Sequence, residues 1–265
     1  MQIGLIKGAR VCRGGPRVTH LFFADDSIIF GDANEDGCRR VMDFIETYEK
    51  ASGQRINMEK SQILFSSNCS MDRRDSLTNR MGVRTVSSVE KYLRLPTMVG
   101  RKKKEAFQNI IDRLRKRMNG WESRMLSQGG KEVFIKAVLQ AIPIYAMSCF
   151  LIPKSLCVDM EKVLNRFWWS NGGNRRGLHW SCWSELCKAK ERGGLNFRDM
   201  GKFNIALLAK QGWRLVVNPE SLLARIYKAK YYPRSTFWEA RLGTNPSYNW
   251  KSIYAARGLL ECKLG

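Results

Sequence analysis

An α+β fold, strand-rich at its start and mainly helical afterwards, is what this chain predicts, and three observations carry it. β-prone apolar runs separated by polar turns recur as far as residue 97. From Arg101 onward apolar residues return every three or four positions instead. The composition also changes near residue 100, where Arg101-Lys102-Lys103-Lys104 opens a stretch dense in cations. The 265 residues are 44% hydrophobic and 26% charged, enough for one large or two small domains with real cores. The divisions read from the sequence are 1–100, 101–170 and 171–265.

The formal net charge is +22 and the pI about 10.0. A charge of that size predicts a polyanionic partner, because Lys and Arg that neutralise phosphates release condensed counterions. A membrane surface or an acidic protein would satisfy the same charge less specifically. The eight cysteines are scattered and form no spaced framework, which suits a reducing compartment. Cys182 and Cys187 lie close, with His179 nearby, but no second pair follows, so they read as structural thiols and no zinc is expected. The longest apolar run, Ala141 to Pro153, falls far short of the roughly 20 residues a membrane span needs. No early apolar core escapes Arg10 and Arg13, so no signal peptide is expected.

Residues 1–19 are rich in Gly and Arg and read as a loop leading into His20-Leu21-Phe22-Phe23-Ala24-Asp25-Asp26-Ser27-Ile28-Ile29-Phe30. Two adjacent carboxylates between apolar, β-prone runs predict a hairpin with acids at its turn. Converging carboxylates suit Mg²⁺, which takes oxygen ligands and keeps room for substrate phosphates. A merely polar turn is the structural alternative.

Glu35 to Ser52 carries Val41, Phe44, Ile45 and Tyr48 at amphipathic-helix spacing, with Asp32 or Asn34 as N-cap and Gly53 as the stop. Gly53, Asn57, Lys60 and Ser61 follow, then a short strand over Gln62 to Ser66. Lys60 there could supply a proton or a positive charge to a developing oxyanion, or be a solvated lysine at a strand start. A short helix over Asp72 to Met81 and a strand over Val89 to Thr97, containing Tyr92-Leu93-Arg94-Leu95-Pro96, complete the first part.

A long helix from Arg101 has the apolar stripe Phe107, Ile110, Ile111, Leu114, Met118 and Trp121. Its other face carries Arg113, Arg115, Lys116 and Arg117 and suits tracking of a phosphate backbone or simple solvation. A break at Gln128-Gly129-Gly130, a helix over Lys131 to Ala141 and a third over Ser155 to Ser170, N-capped by Ser155, suggest a bundle. Asn171 to Gly177 reads as a flexible basic loop. Gly193-Gly194-Leu195 leads to a helix through Phe203-Asn204-Ile205-Ala206-Leu207-Leu208-Ala209-Lys210 and on to Trp213-Arg214-Leu215. The later aromatics, Trp213, Tyr227, Tyr231, Tyr232, Phe237, Trp238, Tyr248, Trp250 and Tyr254, are expected in a core more than as stacking surfaces.

Phe-Ala-Asp-Asp with Ile-Ile-Phe resembles the catalytic hairpin of non-LTR (LINE-type) retrotransposon reverse transcriptases. Gly53-x-x-x-Asn57-x-x-Lys60-Ser61 resembles that family's next palm motif, and Tyr92-Leu93-Arg94-Leu95-Pro96 its primer hairpin, with Arg94 where the family has Gly. The Gly193 to Leu215 string is similar to the region beyond the thumb in plant elements. The resemblance implies a partial polymerase palm, a helical thumb over 101–170 and the start of the family's reverse-transcriptase-associated zinc-binding region. It implies Asp25 as a Mg²⁺ ligand, Asp26 as the second acid and Lys60 beside the leaving pyrophosphate. It implies primer contact by Tyr92, Leu93, Arg94, Leu95 and Pro96, while Arg101, Lys102, Lys103, Lys104, Arg113, Arg115, Lys116 and Arg117 are expected to bind nucleic acid on their charge alone. RNA template, DNA primer and dNTP are the implied partners, and the nucleus, or a plant organelle, the implied setting. The family's first palm carboxylate and fingers find no counterpart here, so a chain inactive alone is expected. A non-catalytic, basic nucleic-acid-binding remnant is the alternative.

Overall fold

The computed structural model describes residues 6–88, 91–120, 126–170 and 178–264. They form an α+β protein in which helices predominate and strands occur only in two-stranded pairs. Two compact units arise, Met1–Tyr92 with Glu220–Ser235, and Leu93–Pro219 with Thr236–Gly265. The first division falls near the composition change at residue 100. The second separates a short segment from its neighbours in sequence, which the sequence did not suggest.

In the first unit β1 (Ala9–Arg10) pairs antiparallel with β2 (Arg17–Val18), and β3 (His20–Phe23) with β4 (Asp26–Ile29). Helix α1 (Glu35–Ser52) starts where Asn34 Oδ1 accepts the Gly37 amide at 2.7 Å, satisfying a donor the helix cannot. It stops at Gly53, whose φ of 71° lets its amide turn back to Glu49 O at 2.9 Å. Val41, Phe44 and Ile45 are half-buried as the spacing requires, whereas Tyr48 is exposed and donates to Gln54 Oε1 at 2.6 Å. Strand β5 is shorter than expected, Gln62–Leu64. It pairs in parallel with β6 (Arg84–Val86), register Gln62↔Arg84. Parallel neighbours need a crossover, and α2 (Met71–Met81) supplies it.

The core of this unit is thin. Its buried apolar residues are Val18, Cys38, Leu77 and Val83, joined by Ala224, Tyr227 and Tyr232 from Glu220–Ser235. Helix α10 (Leu222–Tyr231) thus returns to complete it. A Cβ built on buried Gly15 would lie 3.7 Å from the Ala229 Cβ, so the loop before the hairpin packs closely on this helix.

The expected strand over Val89 to Thr97 is instead a hairpin, β7 (Lys91–Tyr92) with β8 (Leu95–Pro96); Val89 and Glu90 lie outside the described residues. The expected long helix is broken at Phe107 into α3 (Lys103–Ala106) and α4 (Gln108–Met118). Phe107, Ile110, Ile111 and Leu114 are buried, and Trp121 lies outside the described residues. The two glycines expected as a break lie inside α5 (Gln128–Ala137). Ser127 caps the helix by accepting the Gly130 amide, and a Cβ on Gly130 would already meet Leu126 at 3.3 Å. The last expected turn of that helix is a separate 3-10 turn, Leu139–Ala141.

Helix α6 (Ile144–Cys149) follows within the apolar run. Helix α7 (Lys154–Trp168) has Pro153, not Ser155, at the capping position, because proline's fixed φ suits a helix entry. After α8 (Trp183–Leu186) comes α9 (Met200–Val217), which packs on α6 and α7 and on α11 (Tyr248–Ala255) and α12 (Arg257–Leu264). The core of this unit is large and continuous, running from Phe107 through Leu156, Met160 and Leu164 to Met200. Phe237 and Trp250 are buried, as expected of the later aromatics, while Trp213 is 42% exposed. Asn171 to Gly177 lies outside the described residues. No helix among the described residues is long and apolar enough to cross a membrane.

Candidate nucleic-acid interface and paired-acid hairpin

The β3–β4 register pairs Leu21 with Ile28 and Phe23 with Asp26, and His20 with Ile29 and Phe22 with Ser27. Opposed residues share a face, so Asp26 stands among Leu21, Phe23 and Ile28. Asp25 sits in the two-residue turn behind Ala24, whose φ is 52°. A non-glycine residue in that region carries strain of about 1–2 kcal/mol. The turn and β3 are solvent-exposed, with Phe22 at 54% and Phe23 at 59%, and His20 stacks on Phe22 at 4.6 Å.

The carboxylates are the right donors for a hard cation, and Mg²⁺ usually takes one or two of them together with substrate phosphates. Among the described residues no group of three or more His, Cys, Asp or Glu is placed to hold a metal. Asp25 and Asp26 fit Mg²⁺ in kind as a pair.

Lys60 is presented by a folded turn. Asn57 Oδ1 accepts the Lys60 amide at 3.1 Å, and Asn57 O accepts the Ser61 hydroxyl at 2.8 Å. Lys60 is exposed, and no hydrogen bond or ion pair among the described residues joins it to Asp25 or Asp26. Strand β5, which it precedes, belongs to a different sheet from the hairpin.

At the β7–β8 turn Leu93 has φ 50° and Arg94 φ 64°. Two successive left-handed residues define the mirror-image turn that favours glycine. The resemblance puts Gly at position 94, and the backbone here adopts the conformation Gly takes most readily. Tyr92, Leu93, Leu95 and Pro96 are half-buried, Leu95 packing against the large core, and Arg94 is exposed.

The expected basic face divides into engaged and free cations. Lys104 pairs with Asp159 at 2.7 Å, holding that carboxyl below its usual range. Lys102 pairs with Glu105 at 3.3 Å. Lys103 lies over the Tyr248 ring at 4.9 Å, and Arg117 over Phe134 at 6.0 Å. Arg115 is exposed and acts on Asp159 only through its field. Arg101, Arg113 and Lys116 are exposed and enter no ion pair or ring contact among the described residues.

The thiols near His179 have contrasting surroundings. Hydrogen bonds from Ser184 and the Glu185 amide lower the exposed Cys182 thiol, whereas burial, with Glu161 and Asp199, pushes Cys187 up to about 12. His179 instead meets Asn165, 3.3 Å from its Nδ1.

The Gly193 to Leu215 string is a packing device. Gly193 turns the chain at φ 78°, and the Leu195 and Phe197 amides both donate to Leu186 O at 2.9 and 3.2 Å. Phe197 then stacks on Trp183 at 5.0 Å. Asn204, buried, serves the backbone of residues 147–152, as do Asn249 and Ser252. Sequence reasoning missed these roles, although Asn204 within an apolar helical stretch was the available signal.

Fold and surface together define a basic, helix-dominated α+β protein with a paired-acid hairpin. The uncharacterized mitochondrial protein AtMg00310 of Arabidopsis thaliana is 49% identical over 122 residues, 46% of this chain and 79% of that protein. The chain belongs to the family of that protein. It is also similar to the Arabidopsis thaliana protein "Putative ribonuclease H protein At1g65750", 33% identical over 162 residues, 60% of this chain. The match spans 26% of that relative, about a quarter of its length. No family model matches the chain.

Proposed function

We propose that this chain derives from a plant non-LTR retrotransposon, comprises the end of a reverse-transcriptase palm, the thumb and the region beyond it, and acts by binding nucleic acid rather than by polymerising. One observation carries the reading: a chain of net charge +22 sets two adjacent carboxylates at the tight Phe23-Ala24-Asp25-Asp26 turn, in a string that resembles the family's hairpin.

The parent reaction is attack of a primer 3′-hydroxyl on the α-phosphate of a dNTP, templated by RNA. Mg²⁺ would supply the charge that clamps the reacting oxygens there, and Asp25 and Asp26 are the residues that would hold it. This chain keeps both carboxylates. Its Lys60 and the hairpin at Leu93–Arg94 belong to the same ancestry.

The binding activity rests on the free cations Arg101, Arg113 and Lys116, whose pairing with phosphates would release counterions. The name of the longer relative agrees with a retroelement source, since ribonuclease H accompanies reverse transcriptase in some elements. The parent elements act in the nucleus; the location in the first relative's name favours a plant organelle.

Primer extension on an RNA template with Mg²⁺, beside an Asp25→Ala/Asp26→Ala control, tests the catalytic half. No extension is expected. Extension that the control lacks would make the chain a polymerase. Titration of RNA and DNA binding against salt tests the other half, and an affinity indifferent to salt would refute it.

A further inference from the structure

Two large apolar side chains stand almost bare in the second unit, Leu178 at 76% and Trp180 at 79% exposure. Neither lies in a helix or strand. His179 between them is held by Asn165 of α7, which fixes this segment beside the last turns of that helix. Trp180 contacts no other aromatic ring among the described residues.

The residues of α7 around Asn165 are cationic. Lys162, one turn before Asn165, has a side chain 73% exposed. Among the described residues it reaches only Asp159, at 4.0 Å, a carboxylate already held by Lys104 at 2.7 Å. Arg166, next to Asn165, is exposed and enters no ion pair among the described residues. The nearby acids are occupied: Glu185 pairs with Lys188 at 2.6 Å, and Glu161 accepts the Met200 amide at 2.8 Å.

We propose that Trp180 is a stacking platform for an unpaired base of a single-stranded nucleic acid whose phosphates follow Lys162 and Arg166. The inference rests on the nucleic-acid reading above and adds a site distinct from the α3–α4 cations. An indole face stacks on any base without regard to sequence, and cations beside it meet the flanking phosphates. Bases inside a duplex are already stacked and offer no free face, so the partner is single-stranded. A lipid surface is a poorer match, because two apolar residues on an irregular segment do not make the long apolar face of an interfacial helix.

The test uses the full chain and fluorescence anisotropy with three probes: a labelled single-stranded RNA, the same backbone with its central bases removed, and an RNA duplex. Trp180→Ala is expected to weaken binding of the single strand by roughly 5- to 100-fold. It should leave the abasic and duplex probes unchanged, and leave the salt slope unchanged because no ionic contact is lost. Trp180→Phe should restore part of the affinity. Lys162→Ala/Arg166→Ala should make the slope shallower.

A Trp180→Ala chain that binds the single strand within twofold of the parent overturns this inference alone. So does an equal loss on all three probes. A parent chain that binds no probe in a salt-dependent way overturns the nucleic-acid reading itself, and this inference with it.

Discussion

Asn204 Oδ1 accepts the Ile152 amide at 2.8 Å while its Nδ2 donates to Met147 O and Phe150 O at 2.8 and 3.0 Å. One buried side chain thereby satisfies three backbone groups where the chain passes from α6 to α7. A polar group buried unpaired costs about 1–3 kcal/mol. Asn204→Leu should therefore lower the unfolding free energy by roughly 3 kcal/mol or more, measured by urea denaturation. Asn204→Asp should be no better, since it sets a carboxylate against two carbonyl oxygens.

Gly193 and Gly194 are adjacent yet needed for different reasons. Gly193 has the positive φ, with open space where a Cβ would stand, whereas a Cβ on Gly194 would lie 2.1 Å from Lys188 O. Gly193→Ala should cost about 1 kcal/mol from backbone strain. Gly194→Ala forces the backbone to move and should cost about 3 kcal/mol or more. Thermal melts of both variants check the order, and equal costs would contradict it.

Lys131 is buried with no carboxylate partner among the described residues, its ammonium donating to Ser170 O just beyond α7. Burial lowers its pKa below the ordinary lysine value. Between the lowered value and the ordinary one, the unfolded chain binds the proton and the folded chain does not. Stability contributed by this group therefore rises with pH through that window. Unfolding free energies of the parent and Lys131→Met, compared at pH 7 and pH 10, should differ in the parent's favour more at pH 10. A pH-independent difference would refute the shift.

Arg94 holds a left-handed conformation in the β7–β8 turn. Arg94→Gly should remove the Cβ penalty, raising stability by about 1 kcal/mol and the melting temperature by a few degrees. An unchanged or lower melting temperature would show that the turn is not strained.

The division among cations predicts separable effects on binding. Each phosphate contact contributes roughly 0.9 to the slope of log K against log salt on duplex DNA. Arg113→Ala/Lys116→Ala should make that slope shallower by about 2. Lys104→Ala, whose charge is committed to Asp159, should leave it nearly unchanged.

Much of the fold was legible because its causes are local. Helix α1 runs between Asn34 and Gly53, the expected cap and stop, since both act within one turn of the chain. The apolar stripe of α4 is buried, since helical spacing fixes which side chains share a face. Misreadings came where local signals were weak or overruled. Gly129 and Gly130 look like a break, but Ser127 caps the helix by accepting the Gly130 amide and both lie in its first turn.

By itself the sequence determined the α+β order of elements, the hairpin with Asp25 and Asp26, Gly53 as the stop of α1, and the excess positive charge. Those follow from spacing, turn chemistry and composition. Only the tertiary structure decided which cations stay free, that Asn204 satisfies a distant backbone, that Glu220–Ser235 completes the first unit's core, and that Trp180 stands bare. Each depends on which residues far apart in sequence are brought within a few ångströms, and no local propensity encodes that.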